Sequence, residues 1–170
     1  MSVGITRLDG NAGAVIDIKA FLAGDLSEIK VPVLVNNLGW SYGTGVNAVN
    51  LVYADIITLT DGGNDTLNVF DGSLLDIFGR AMTMSAIKLL YVKNKSTDSG
   101  MTIGGGVLND LDIWADTTDK SVITSGGIFL WSDPSAAGIL TSVNCKLYLL
   151  NDGTGVAGDK LVDVIAMGLD

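Results

Sequence analysis

The stretch Leu51-Val-Tyr-Ala-Asp-Ile-Ile-Thr-Leu-Thr60, Asp61-Gly-Gly-Asn64, Asp65-Thr-Leu-Asn-Val-Phe70 decides the fold class. Two runs rich in β-branched and aromatic residues flank four residues that favour turns, so the stretch reads as a β-hairpin. The same pattern continues on both sides. Upstream, Ala14-Val-Ile-Asp-Ile-Lys-Ala-Phe-Leu22 alternates, and Lys30-Val-Pro-Val-Leu-Val-Asn36 follows with Pro32 marking an edge or a strand start. Downstream, Ser73-Leu-Leu-Asp-Ile-Phe-Gly79 suits a single helical turn stopped by glycine. Ala86-Ile-Lys-Leu-Leu-Tyr-Val-Lys-Asn94 is a long strand in which Lys88 interrupts an apolar run. Further strands are expected at Met101-Thr-Ile103, 107–114, Ser121-Val-Ile-Thr124, Ile128-Phe-Leu-Trp131, 140–150 and 160–167. Short strands at this spacing, broken by Gly-, Asp- and Asn-rich turns, predict an all-β chain, a sandwich or jelly roll.

Composition agrees. Among 170 residues there are 18 Asp but one Glu (Glu28), 11 Asn but no Gln, and 22 Gly. Asp, Asn and Gly serve turns, whereas the near-absent Glu and Gln serve helices. The absence of histidine excludes Ser-His-Asp and Cys-His catalysis and every His-containing metal site. With a net charge of −9 and only two arginines, Arg7 and Arg80, nucleic acid is not an expected partner. Cys145 has no second cysteine to pair with and reads as a buried, inert thiol.

The start, Met1-Ser-Val-Gly-Ile-Thr-Arg-Leu-Asp9, lacks the basic and apolar regions of a signal peptide. Residues 31–54 are uncharged, but Pro32, three Gly and four Asn interrupt them well short of the roughly 18 apolar residues of a span. No membrane association is expected. A mean hydropathy of +0.43 without a span points instead to surface buried between subunits. Gly39-Trp-Ser-Tyr-Gly-Thr-Gly45 reads as a flexible loop. It divides the chain into residues 1–45, an N-terminal arm or first strands, and a β-sandwich domain of residues 46–170.

Four features are candidate sites. Asp61-Gly-Gly-Asn-Asp-Thr-Leu67 resembles half of a calcium-binding nonapeptide, but it stands as one copy without a third glycine and reads as a turn. Asp110, Asp112, Asp116 and Asp119 do not follow the EF-hand spacing, and Ile113 and Trp114 interrupt them as strand residues would. Gly104-Gly-Gly106 lacks the Lys and Ser/Thr of a phosphate loop and reads as a bend. Trp40, Trp114 and Trp131 could form a sugar-binding shelf, although aromatics in a small β domain more often fill a core or an interface. No catalytic, cofactor-binding or metal residue is therefore assigned, and no cofactor is expected. Converging aspartates leave a glycan hydrolase as a third reading, with no pair singled out.

Three segments carry a resemblance: Gly72-Ser-Leu-Leu-Asp-Ile-Phe-Gly-Arg80, Ile87-Lys-Leu-Leu-Tyr-Val-Lys-Asn-Lys-Ser-Thr97 and Gly126-Gly-Ile-Phe-Leu-Trp-Ser-Asp-Pro-Ser-Ala-Ala-Gly138. In that order, with a closing strand over 160–168, they are similar to small β-rich structural proteins of tailed bacteriophages. The resemblance spans about residues 50 to 168. It implies a head decoration (cement) protein or a fibre or spike subunit, often trimeric, located in the virion after synthesis in the host cytoplasm. It supplies no site motif to map. The resulting expectation is a non-enzymatic homo-oligomer, a trimer, that binds the major capsid protein and stabilises the head. The alternative is a carbohydrate-binding receptor module of a tail fibre or spike. The residues before Gly39 are expected to attach the subunit to a neighbour or to the shell by adding strands to another sheet.

Overall fold

The computed structural model describes residues 9–14, 19–21, 28–30, 36–106, 111, 113–114, 118–141, 146–151 and 158–170. The chain is all-β, and among the described residues there is no helix. Fourteen strands are described: β1 (Asp9–Ala14), β2 (Lys19–Phe21), β3 (Glu28–Lys30), β4 (Asn36–Tyr42), β5 (Ala48–Val49), β6 (Leu51–Leu59) and β7 (Asn64–Asn68), then β8 (Ala86–Asn94), β9 (Met101–Gly104), β10 (Lys120–Ile123), β11 (Ile128–Ser132), β12 (Ile139–Leu140), β13 (Lys146–Leu150) and β14 (Lys160–Leu169). All pairings are antiparallel except the two-residue contact of β4 with β5.

Two sheets form the body. One has the order β11-β8-β14-β6, with β12 continuing the β11 edge of β8; the other has the order β10-β9-β13-β7. Their inward side chains meet in one apolar cluster, with Leu51, Ile57, Leu90, Val92 and Val164 from the first sheet and Leu67, Ile103, Ile123, Leu147 and Leu149 from the second. Alternation along β13 and β14 sets which residues turn inward, as a period of two requires. Burial of this apolar surface is the main stabilising contribution.

The expected hairpin of residues 51–70 is corrected here. Both strands and the turn exist, with Gly63 N–H bonding Thr60 O at 2.9 Å and Gly62 at φ +64°. The strands do not pair with each other, however: β6 pairs with β14 and β7 with β13, so the turn carries the chain from one sheet to the other. The helical turn expected at 73–79 is also corrected. Gly79 does adopt a left-handed φ of +79°, but it closes a tight turn in which its N–H bonds Asp76 O at 2.9 Å. The Asp76 carboxylate takes the N–H groups that a helix would have used, Phe78 N at 2.9 Å and Arg80 N at 2.8 Å. The loop expected at 39–45 is strand up to Tyr42.

Residues 14–22, 30–36, 107–114 and 140–150 are only partly described. Where described, 113–114 are turn and bend rather than strand. Pro32, Cys145, Asp110, Asp112 and Asp116 lie outside the described residues.

One irregularity places a charge. Between β8 and β14, Met167 pairs with Leu89 and Gly168 with Ile87, so Lys88 is the extra residue of a β-bulge. The bulge turns Ile87 into the central cluster while Leu89 joins a second cluster on the other face, with Trp40 and Val49. Lys88 is fully buried and its Nζ donates to Gly45 O at 2.7 Å and Ala48 O at 3.0 Å. Residues 45–48 are thereby tied to β8, and with Trp40 and Val49 they cover one end of the outer face of the five-stranded sheet.

Candidate interaction surface

Directly paired residues in a sheet share a face, so the registers define what the five-stranded sheet presents away from the central cluster. One row reads Ile128–Lys93–Asp163–Ile56 and the next Leu130–Tyr91–Ile165–Ala54. The third, Ser132–Leu89–Met167–Val52, is the end that Trp40 and Val49 cover. The first two rows are open: Ile56 is 56% exposed, Ile128 55% and Leu130 45%, and Leu161 beyond them is 47% exposed. A sheet with two apolar faces has one more than its own core requires. The charges on this face lie together, with Lys95 Nζ 3.2 Å from Asp163 Oδ1 and Lys93 paired opposite Asp163.

A second apolar feature is the turn at 75–78, where Leu75, Ile77 and Phe78 are exposed. It is held rigidly. Buried Asp76 receives Arg80 Nε at 2.7 Å, and Arg80 Nη2 also bonds Asn50 O at 2.8 Å, so the turn is fixed to the start of β6. Burial by itself raises the Asp76 carboxyl's pKa, but the N–H groups of Arg80 and Phe78 and the guanidinium charge outweigh it and hold the group below the ordinary carboxylate value.

The residues weighed from the sequence are dispersed. Trp40 is 3% exposed in the outer cluster, and its Nε1 has no hydrogen-bond partner among the described residues. Trp114 and Trp131 pack half-buried against the central cluster instead. The ring of Trp114 stacks on Phe129 at 5.8 Å, and its Nε1 bonds Ser121 Oγ at 3.2 Å. The three tryptophans thus form no common shelf. Gly104 and Gly105 hold left-handed φ of +84° and +76° at the end of β9; a Cβ on Gly106 would stand 1.9 Å from the Tyr148 ring. In the turn after β6, Asp61 N–H bonds Asp159 Oδ1 at 3.3 Å, while Asp65 Oδ1 receives the N–H of Thr66 at 2.7 Å. Tyr53, buried and facing the charges of Asp55 and Asp65, is pushed up to about 12, and its hydroxyl bonds Asp55 Oδ2 at 3.4 Å. Among the described residues no three Asp, Glu or Cys side chains gather as a metal site would require.

Sequence reasoning missed the outer-face residues Ile56, Ile128, Leu130 and Leu161. Their signal was present in the consecutive pair Ile56-Ile57, which in a strand must send one isoleucine to each face. Comparison of the chain with protein-family models, with curated proteins and with solved structures found no match.

Proposed function

We propose that this chain is a non-enzymatic structural protein of a virion, a decoration or cement subunit that works by burying its outer sheet face against copies of itself and a capsid shell. The observation that carries the reading is the open apolar face built by Ile56, Ile128, Leu130 and Leu161 on a sheet whose other face already fills the core. Lys93 and Lys95 stand there beside Asp163. A chain of net charge −9 can therefore bring two copies together at this face with its carboxylate, Asp163, already paired to Lys95. Light scattering at micromolar concentration tests self-association, and cryo-electron microscopy of purified particles tests location and copy number. A persistent monomer that is also absent from particles overturns the reading.

A second reading, a carbohydrate-binding module of a tail fibre or spike, is favoured by the half-buried group Trp114, Phe129 and Trp131 beside the central cluster. Aromatic faces of this kind stack on sugar rings, and tryptophan fluorescence titrated with host glycans tests it.

A further inference from the structure

Asn151 directly follows β13 in one sheet, and Lys160 opens β14 in the other. Both are fully buried, and Lys160 Nζ donates to Asn151 Oδ1. The Asn151 amide is fixed on its other side: Nδ2 donates to Thr60 O and Gly158 O at 3.0 Å and to Leu59 O at 3.4 Å, while its backbone N–H bonds Gly63 O at 2.9 Å. Among the described residues no carboxylate lies within ion-pair distance of Lys160. An ammonium group buried against a neutral amide is among the costliest arrangements a protein interior can hold. Conversion of that amine to an amide removes the charge and its cost together.

We propose that Lys160 and Asn151 join in an intramolecular amide crosslink between the two sheets. The unprotonated Nζ of Lys160 attacks Cγ of Asn151, the new C–N bond forms, and the Cγ–Nδ2 bond breaks. The one proton shed by the attacking amine passes to the departing nitrogen, which leaves as neutral ammonia, so atoms and charge balance without an oxidant or co-reactant. The three carbonyl oxygens around Nδ2 hold the leaving nitrogen's hydrogens as ammonia forms. Among the described residues no carboxyl group is hydrogen-bonded to Lys160 Nζ, so no general acid is assigned. Lys88 supplies an internal contrast. Among the described residues its Nζ hydrogen-bonds peptide carbonyls, where the same attack would cut the backbone.

The test is the mass of the folded, purified wild-type chain after incubation at mildly alkaline pH, followed by tryptic mapping. The expected intact mass is one ammonia below that of the sequence. Residues 147–170 should appear as one fragment, uncut after Lys160, because the acylated lysine is no longer a trypsin site. Lys160→Arg should restore the full mass. A wild-type chain of full mass that trypsin cuts after Lys160 overturns the proposal. So does an ammonia loss with Lys160 still cleavable, which marks a succinimide at Asn151. Both readouts are taken on denatured wild-type chains and do not depend on how a variant folds. The proposal rests on this pair alone, and its outcome leaves the reading of the outer face unchanged.

Discussion

The guanidinium of Arg80 stands 2.6 Å from Oδ2 of Asp76, and the two residues close a turn that presents Leu75, Ile77 and Phe78 to solvent. Asp76 accepts from two backbone N–H groups as well, so its removal leaves buried donors unmet. Asp76→Ala is expected to cost about 2–3 kcal/mol. The folded pKa is depressed, so the stabilisation is complete above the ordinary carboxylate value, roughly pH 4, and is lost as pH falls through the folded value. Thermal melts of wild type and Asp76→Asn should therefore converge on acidification; a gap independent of pH contradicts the ion pair's role.

Ile56 and Ile57 are neighbours with opposite fates, 56% and 8% exposed. Ile57→Ala removes volume from the central cluster and is expected to cost about 2–4 kcal/mol in denaturant unfolding. Ile56→Asp should leave stability within about 0.5 kcal/mol while weakening self-association in light scattering. Unchanged self-association in Ile56→Asp would show that the outer face is no interface.

Desolvation lowers the pKa of Lys88, and the charge of Asp133 opposes that shift. For a lysine with a depressed folded pKa, the unfolded chain binds more protons between the folded value and about 10.4, so stability rises with pH across that window. Wild type should gain on Lys88→Met as pH climbs toward that upper limit, measured as the difference in Tm. Hydrogen exchange at residues 41–49 should be faster in the variant at neutral pH, because the tie to Gly45 and Ala48 is gone.

Gly104 and Gly62 both hold left-handed backbone, but a Cβ on Gly104 would stand 2.9 Å from Asp119 O and 3.1 Å from the Trp114 ring, whereas Gly62 has open space. Gly62→Ala is expected to cost about 1–2 kcal/mol, from conformation alone. Gly104→Ala should cost more, and near-ultraviolet circular dichroism should report the displaced Trp114.

Strand positions were legible because each strand states its own faces: the apolar run of β8 and the alternation of β14 appear directly in the residues. Partners were not legible. Nothing local in Thr60-Asp61-Gly-Gly63 distinguishes a turn that pairs its flanking strands from one that passes between sheets, since that choice depends on where β13 and β14 lie. Lys88 showed as an interruption, yet its bulge depends on register against Gly168. The contact of Lys160 with Asn151 gave no sequence signal, because a strand beginning with lysine and an asparagine after the end of a strand are individually ordinary.

The position of β14 between β6 and β8 also sets an order of events in the cell. Ribosomes deliver this chain from the N-terminus, and until residue 169 has emerged the five-stranded sheet lacks the strand that joins its two sides. β6 and β8 then each wait with one edge of polar N–H and C=O groups unpaired, so this sheet closes only after β14 leaves the exit tunnel. Chaperone occupancy during synthesis should be governed by the arrival of that strand.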